Sequence, residues 1–194
     1  MNFHKLIIAI ILCFCSASLL AQTDNSVAVK KHKFAVYGGV GPNLYFNNLV
    51  LAKDYVHELN YSFSAKFMWE PGHLLSLGIE TGYYRLYTVN NKAQSGANIS
   101  NSAIPIQLVV SMKFLKNFYF DFSSGQSILK NKVTTPNYGD ISSSSLSLGD
   151  FGAALGYKKQ LNSRLSLAAE TKFFYSSQIN DKNIALLFMV GYVL

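Results

Sequence analysis

The chain has 194 residues, 49% of them hydrophobic and 14% aromatic, with only 14% charged and a formal net charge of +7. The length suits one domain, but so little charge argues against a water-covered surface, since soluble domains carry roughly 25%. The basic residues are scattered apart from Lys30-Lys31-His32-Lys33 and form no stripe or recognisable module, so nucleic acid is not an expected partner.

In chain order, Met1–Lys5 gives a positive start, Leu6–Phe14 an apolar stretch, and Ser16–Ala21 a run of small residues and leucines. That is the plan of a secretory signal peptide over residues 1–21. The run is too short for a spanning helix, which needs about 20 apolar residues. Both cysteines, Cys13 and Cys15, fall inside it, so the exported chain is expected to use neither disulfides nor thiol chemistry. Residues 22–32 read as a short N-terminal segment, and residues 33–194 as one β domain.

Over that domain, period-2 alternation recurs between polar, glycine- or proline-containing breaks. Eight strands are expected, at about Lys33–Phe46, Glu58–Trp69, His73–Val89, Ser102–Leu115, Asn117–Ile128, Ser145–Lys158, Ser163–Ser176 and Asn183–Leu194. The breaks after the second, fourth and sixth are short: Glu70–Gly72, Lys116 and Lys159–Asn162. Those after the first, third and fifth are long and polar: Asn47–His57, Asn90–Asn101 and Gly125–Ser144. Short turns at one end and long loops at the other, with an even strand number, are the asymmetry of a membrane barrel.

The two faces of each strand differ in kind. Tyr61, Phe63, Ala65 and Phe67 oppose Asn60, Ser62, Ser64 and Lys66. Leu75, Leu77 and Ile79 oppose Ser76, Gly78 and Glu80. Ile106, Leu108 and Val110 oppose Gln107, Val109 and Ser111, with Lys113 next on that side. Phe118, Phe120 and Phe122 oppose Tyr119, Asp121 and Ser123, and Leu165, Leu167 and Phe173 oppose Arg164, Ser166, Glu170 and Lys172. The sixth strand is irregular, with a bulge expected near Gly149-Asp150. One face is aliphatic and aromatic, with rings such as Tyr45, Trp69, Tyr87, Phe118 and Tyr175 toward strand ends, as bilayer interfaces favour. The other is small and polar, punctuated by Lys66, Glu80, Lys113, Asp121, Arg164, Glu170 and Lys172. Eight strands enclose a lumen that side chains just fill, and ions confined there must pair. These seven residues are therefore read as a lumen charge network, either a salt-bridge plug or, less simply, the lining of a gated pore.

Several stretches resemble the small outer-membrane β-barrels of Gram-negative bacteria, the OmpA/OmpX-like or porin-family eight-stranded barrels. They are "FAVYGGVG" at Phe34–Gly41, "AIPIQLVVSMKFLKN" at Ala103–Asn117 running into "FYFDFSSG", "GDFGAALG" at Gly149–Gly156, and the terminal "LLFMVGYVL". The resemblance spans about residues 33–194. It implies an eight-stranded antiparallel up-and-down transmembrane β-barrel in the outer membrane, contacting lipid and the barrel-insertion machinery. Such barrels commonly end on an aromatic residue, whereas this chain ends on Leu194.

No cofactor, metal or catalytic site is expected. Scattered histidines and no mature cysteine fall short of ligand spacing, and the glycines of Gly38–Gly41 precede no helix that could bind phosphate. The expected role is non-enzymatic, through extracellular loops that contact an extracellular or envelope partner. Two alternatives stand beside it. Some small outer-membrane barrels are lipid-modifying enzymes, a role in which His57, Glu58 and loop serines would serve. A soluble periplasmic lipocalin-like carrier would invert the faces and hold a hydrophobic ligand.

Overall fold

A computed structural model describes residues 32–46, 56–91, 97–135 and 139–194; the signal-peptide reading at residues 1–21 lies outside them. The alternating residues of the domain extend into β1 Lys33–Phe46, β2 Val56–His57, β3 Leu59–Glu70, β4 Leu75–Asn91, β5 Ala97–Lys113, β6 Phe118–Thr135, β7 Gly139–Gln160, β8 Leu165–Ser176 and β9 Asp181–Val193. Each long strand pairs antiparallel with its neighbour along the chain. β1 pairs with both β3 and β9, and the β4–β5 pairing completes the ring. Eight strands thus close on themselves, leaving no edge in the wall. The two-residue β2 adds only the rungs Val56–Val89 and His57–Thr88 to β4.

Closure puts the two parities on opposite sides, and exposure tells which is which. Phe63, Phe120 and Leu167 are 43%, 38% and 46% exposed, and Leu108 is 69% exposed, whereas Ser64, Lys66, Ser123 and Glu170 are buried. The oily face points outward. A lipocalin-like carrier needs the reverse arrangement, so the soluble alternative is overturned. An exterior of this kind suits hydrocarbon, and a closed barrel is the form of sheet that can enter it, because each wall strand is paired on both sides around the ring.

Aromatic pairs lie toward both ends of the wall. Phe118 meets Phe114 and, edge-on, Tyr157 at centroid distances of 6.1 and 5.2 Å near the short turns. Tyr61 with Tyr83, and Phe151 with Tyr175, lie toward the other end at 6.1 and 4.9 Å. Two tyrosines depart from the interfacial reading. Tyr45 and Tyr87 turn inward and pack together at 5.0 Å. For Tyr87 the cause is a register shift between Arg85 and Tyr87, which skips Leu86 and reverses the alternation of β4 beyond it.

The breaks at Pro71–Leu74, Phe114–Asn117 and Leu161–Arg164 form the short-turn end. At the opposite end, two segments expected as loops are strand instead. β4 and β5 stay paired out to Asn91–Ala97, and β6 and β7 out to Thr135–Gly139. Polar residues such as Lys130, Lys132 and Ser142–Ser145 occupy these extensions because both faces leave the bilayer there, which erases the alternation. The pairing survives along one apolar row, in which Val56, Val89, Ile99, Val133 and Ile141 are successive cross-strand partners. β8 and β9 turn back much earlier, at Ser176 and Asp181, so β4–β7 project as a sheet beyond the rim. Residues 47–55 of the expected first loop lie outside the described residues.

β7 carries the bulge expected near Gly149. Leu148 pairs with Gln126 and Asp150 with Gly125, so Gly149 is an extra residue, with φ of 77°. That left-handed conformation is cheap only for glycine. Below the bulge Asp150, Gly152, Ala154 and Gly156 face inward; above it Ser147 does.

The outward belt yields a test. Leu108→Arg, at mid-strand in β5, is expected to destabilise the barrel in lipid vesicles by about 2–4 kcal/mol, as a cation at the bilayer midplane does. Chemical unfolding monitored by Trp69 fluorescence would measure it. A change within about 0.5 kcal/mol, the usual effect at a water-facing position, would contradict the assignment of faces.

Candidate functional site

The inward residues of β3, β4, β6 and β8 converge at mid-lumen, because each strand contributes charged side chains at the matching level. Lys66 Nζ lies 2.7 Å from Asp121 Oδ2 and 2.7 Å from Glu170 Oε2. Lys172 Nζ lies 2.5 Å from Glu80 Oε1. All five are at most 4% exposed. Neutral donors add to two of the carboxylates: Ser64 Oγ donates to Glu80 at 2.7 Å and the Tyr119 hydroxyl donates to Glu170 at 2.8 Å. The Lys172 ammonium also sits 5.8 Å from the centre of the Tyr84 ring. Two lysines face three carboxylates, so this layer holds one negative charge in excess.

Tyr84, Phe174, Leu86 and Leu129 are fully buried across the lumen on the long-hairpin side of the ions. Tyr84 and Phe174 stack with centroids 5.3 Å apart. Toward the short-turn end, Glu70 organises a second cluster. It accepts from the Tyr37 hydroxyl at 2.5 Å and pairs with Lys158 at 2.9 Å and Lys113 at 3.2 Å. Tyr119 and Tyr37 reach across the lumen only because Gly156 and Gly191 lie under their rings; a Cβ at either glycine would fall 2.3 Å from a ring carbon. Removing side chains there makes the room the rings occupy, a pairing used to fix strand register.

Of the seven charges expected in the lumen, the structure gathers Lys66, Glu80, Asp121, Glu170 and Lys172 into the mid-lumen layer. Lys113 sits at the mouth on Glu70. Arg164 is a correction: β8 begins at Leu165, so Arg164 belongs to the preceding turn, where it is exposed and its Nη1 lies 3.4 Å from the Tyr192 hydroxyl. Tyr37, Glu70 and Lys158 were not anticipated. Glu70 reads as turn, and the Gly149 bulge reverses the parity by which Lys158 could have been found.

The candidate enzymatic group does not assemble. His57 is exposed, its carbonyl accepting from Asn60 Nδ2 at 2.9 Å, and the Glu58 carbonyl accepts from the Tyr45 amide at 2.9 Å. No side-chain hydrogen bond or ion pair joins the two among the described residues. Among the described residues, no cluster of His, Asp or Glu has the arrangement of a metal site.

The ion layer makes a prediction about stability. Lys172→Met leaves Glu80 buried and uncompensated and is expected to cost about 3–5 kcal/mol, whereas adding Glu80→Leu recovers most of that loss. The urea midpoint of refolded protein in detergent measures both; equal midpoints for the single and double variants would show that the pair carries no buried charge. In planar bilayers the plugged lumen is expected to pass no steady ion current.

No protein-family model matches the chain, and no curated protein matches it in sequence. Solved structures do resemble it. Ail, the attachment invasion locus protein of Yersinia pestis, in complex with the heparin analogue sucrose octasulfate, aligns with a TM-score of 0.57 at 11% identity, covering 84% of this chain and 99% of that one. A major outer membrane protein from Thermus thermophilus aligns at 0.55 and 14% identity, covering 84% and 100%. Neisserial surface protein A aligns at 0.50 and 12% identity, covering 82% and 96%. Closure, strand number, outward-facing apolar residues and these likenesses agree: the chain has the fold of the small eight-stranded outer-membrane β-barrels.

Proposed function

We propose that the protein is a non-enzymatic outer-membrane barrel that presents its projecting sheet to the cell exterior as an attachment surface. The short turns then face the periplasm and the long hairpins face outward, the usual disposition of such barrels. One observation carries the reading. From Gly139 to Leu146, β7 is paired to β6 on one side and has no strand partner among the described residues on the other, because its pairing with β8 begins only at Phe151 and the end of β8 with its turn reaches only Ser147, Leu148 and Asp150. An open strand of this length offers a row of backbone donors and acceptors to an incoming chain.

The side chains along that edge support the same use. Ser142–Ser145 impose no bulk on an approaching strand. Ile141, 64% exposed, ends the apolar row described above at the open side and leaves its next place vacant for a partner's side chain. Lys132 and Asp140, 2.7 Å apart, form an exposed ion pair near the tip of the hairpin. Hydrogen bonds from Lys132 and Thr134 hold the Asp140 carboxyl below its ordinary range. Ail's name and its heparin-analogue complex concern that protein; for this chain they make sulfated glycans a reasonable surface to test beside protein.

The test shortens the hairpin. Leu129 and Ser145 are cross-strand partners, so an Asn-Gly turn replacing residues 130–144 closes a two-residue hairpin without disturbing the wall. Cells displaying the full barrel are expected to attach to immobilised extracellular protein or heparin, and cells displaying equal amounts of the shortened one to fall to background. Ile141→Lys with Ser143→Lys, which blunts the edge, should give an intermediate loss. Equal attachment by all three, or attachment by none, would refute the proposal.

A further inference from the structure

We infer that the short-turn mouth of the lumen is a binding site for a compact oxyanion, a phosphate group above all. The inference rests on the proposed orientation only for calling that side periplasmic; the site itself owes nothing to the projecting sheet. A cavity of about 230 Å³ opens at this mouth, lined among others by Lys33, Lys113, Lys116 and Lys158. Water-sized occupancy needs roughly 10–15 Å³, so the space is ample for an anion with part of its hydration. A second, smaller cavity of about 30 Å³ shares Glu70, Lys113, Tyr119 and Lys158 with it and is lined besides by Tyr37 and by Lys66 and Asp121 of the buried ion layer.

Charge at the mouth is lopsided. Four lysines line the cavity, and Glu70 is the one acidic residue among its lining residues. Glu70 already serves Lys113 and Lys158, while Lys33 and Lys116 form no ion pair among the described residues. The extra negative charge of the mid-lumen layer offsets part of this excess, and the remainder stays positive. The four lysines come from the start of β1, the end of β5, the turn after it and the end of β7, so they surround the opening rather than line one wall. Basic residues gathered around one concavity raise the local concentration of anions there. Lysine binds phosphate as a point charge and asks for no particular angle, which suits a group arriving from several directions. Such a phosphate could belong to a free ion or to a lipid headgroup at the membrane surface.

The experiment uses the full barrel in a phosphate-free alkyl maltoside and follows backbone amide resonances while inorganic phosphate is added. Saturable shifts at Lys113, Tyr119 and Lys158 are expected. Lys33→Gln with Lys116→Gln, neither of which is ion-paired to Glu70, should weaken the apparent affinity by about fivefold for each charge removed. Glu70→Gln should tighten it, a gain that a purely structural role for these lysines does not produce. Shifts that fail to saturate, that appear equally at Lys130 and Lys182 on the opposite end, or that ignore the Lys33/Lys116 substitutions would overturn the site. In phosphatidylglycerol nanodiscs without free phosphate, resonances already at the bound position identify a lipid headgroup; resonances that move only on adding phosphate identify a soluble anion. The attachment assay for the projecting sheet is indifferent to all of these variants, so the two proposals fail separately.

Discussion

Hydrocarbon offers no hydrogen bonds, and that single fact governs this chain. An unpaired amide or carbonyl in a bilayer costs several kcal/mol, so the strands must close into a ring. Once they do, a period of two sorts every residue to lipid or lumen. The outward set becomes Leu, Ile, Val and Phe without need of fine fit. The inward set must fill a narrow tube, which explains serines and glycines beside tyrosines, and why ions appear there only in contact with counter-ions.

The lumen is thereby divided along its length. At the middle, Lys66 and Lys172 are held by Glu80, Asp121 and Glu170; on one side lie Tyr84, Phe174 and leucines, on the other an open, lysine-rich mouth. Replacing a buried ion pair with apolar groups is often neutral or stabilising elsewhere. Its presence here is intelligible from register: Lys66 stands opposite Glu80 in the β3–β4 ladder, and Glu170 and Lys172 are successive inward residues of β8. A strand slipped by two residues would keep its oily face outward but separate these charges. The layer thus distinguishes between registers that the exterior alone leaves equivalent.

Much of this was legible in the sequence, for a physical reason. Alternation is strongest where one face meets lipid, so the strands through the wall, their number and the five mid-lumen charges could be read directly. Legibility failed where alternation failed. Beyond the rim, Lys130, Lys132 and Ser142–Ser145 have water on both sides and look like loop, although Val89, Ile99, Val133 and Ile141 kept the spacing of paired strands. At Lys158 and Tyr87 a single bulged residue inverted the parity, and at Arg164 the alternation was followed one residue too far into a turn. Glu70, the centre of the mouth cluster, stands beside Pro71-Gly72 and was absorbed into the turn signal.

The bulge at Gly149 does more than bend β7. With one residue added, the part of the strand that projects is phased independently of the part built into the wall, so the two halves can change without a shared constraint on which side faces in. Substitutions, or length changes made two residues at a time, can remodel the outer hairpin while the residues from Asp150 onward keep their places. One glycine therefore uncouples the phase of the outer hairpin from that of the wall that carries it.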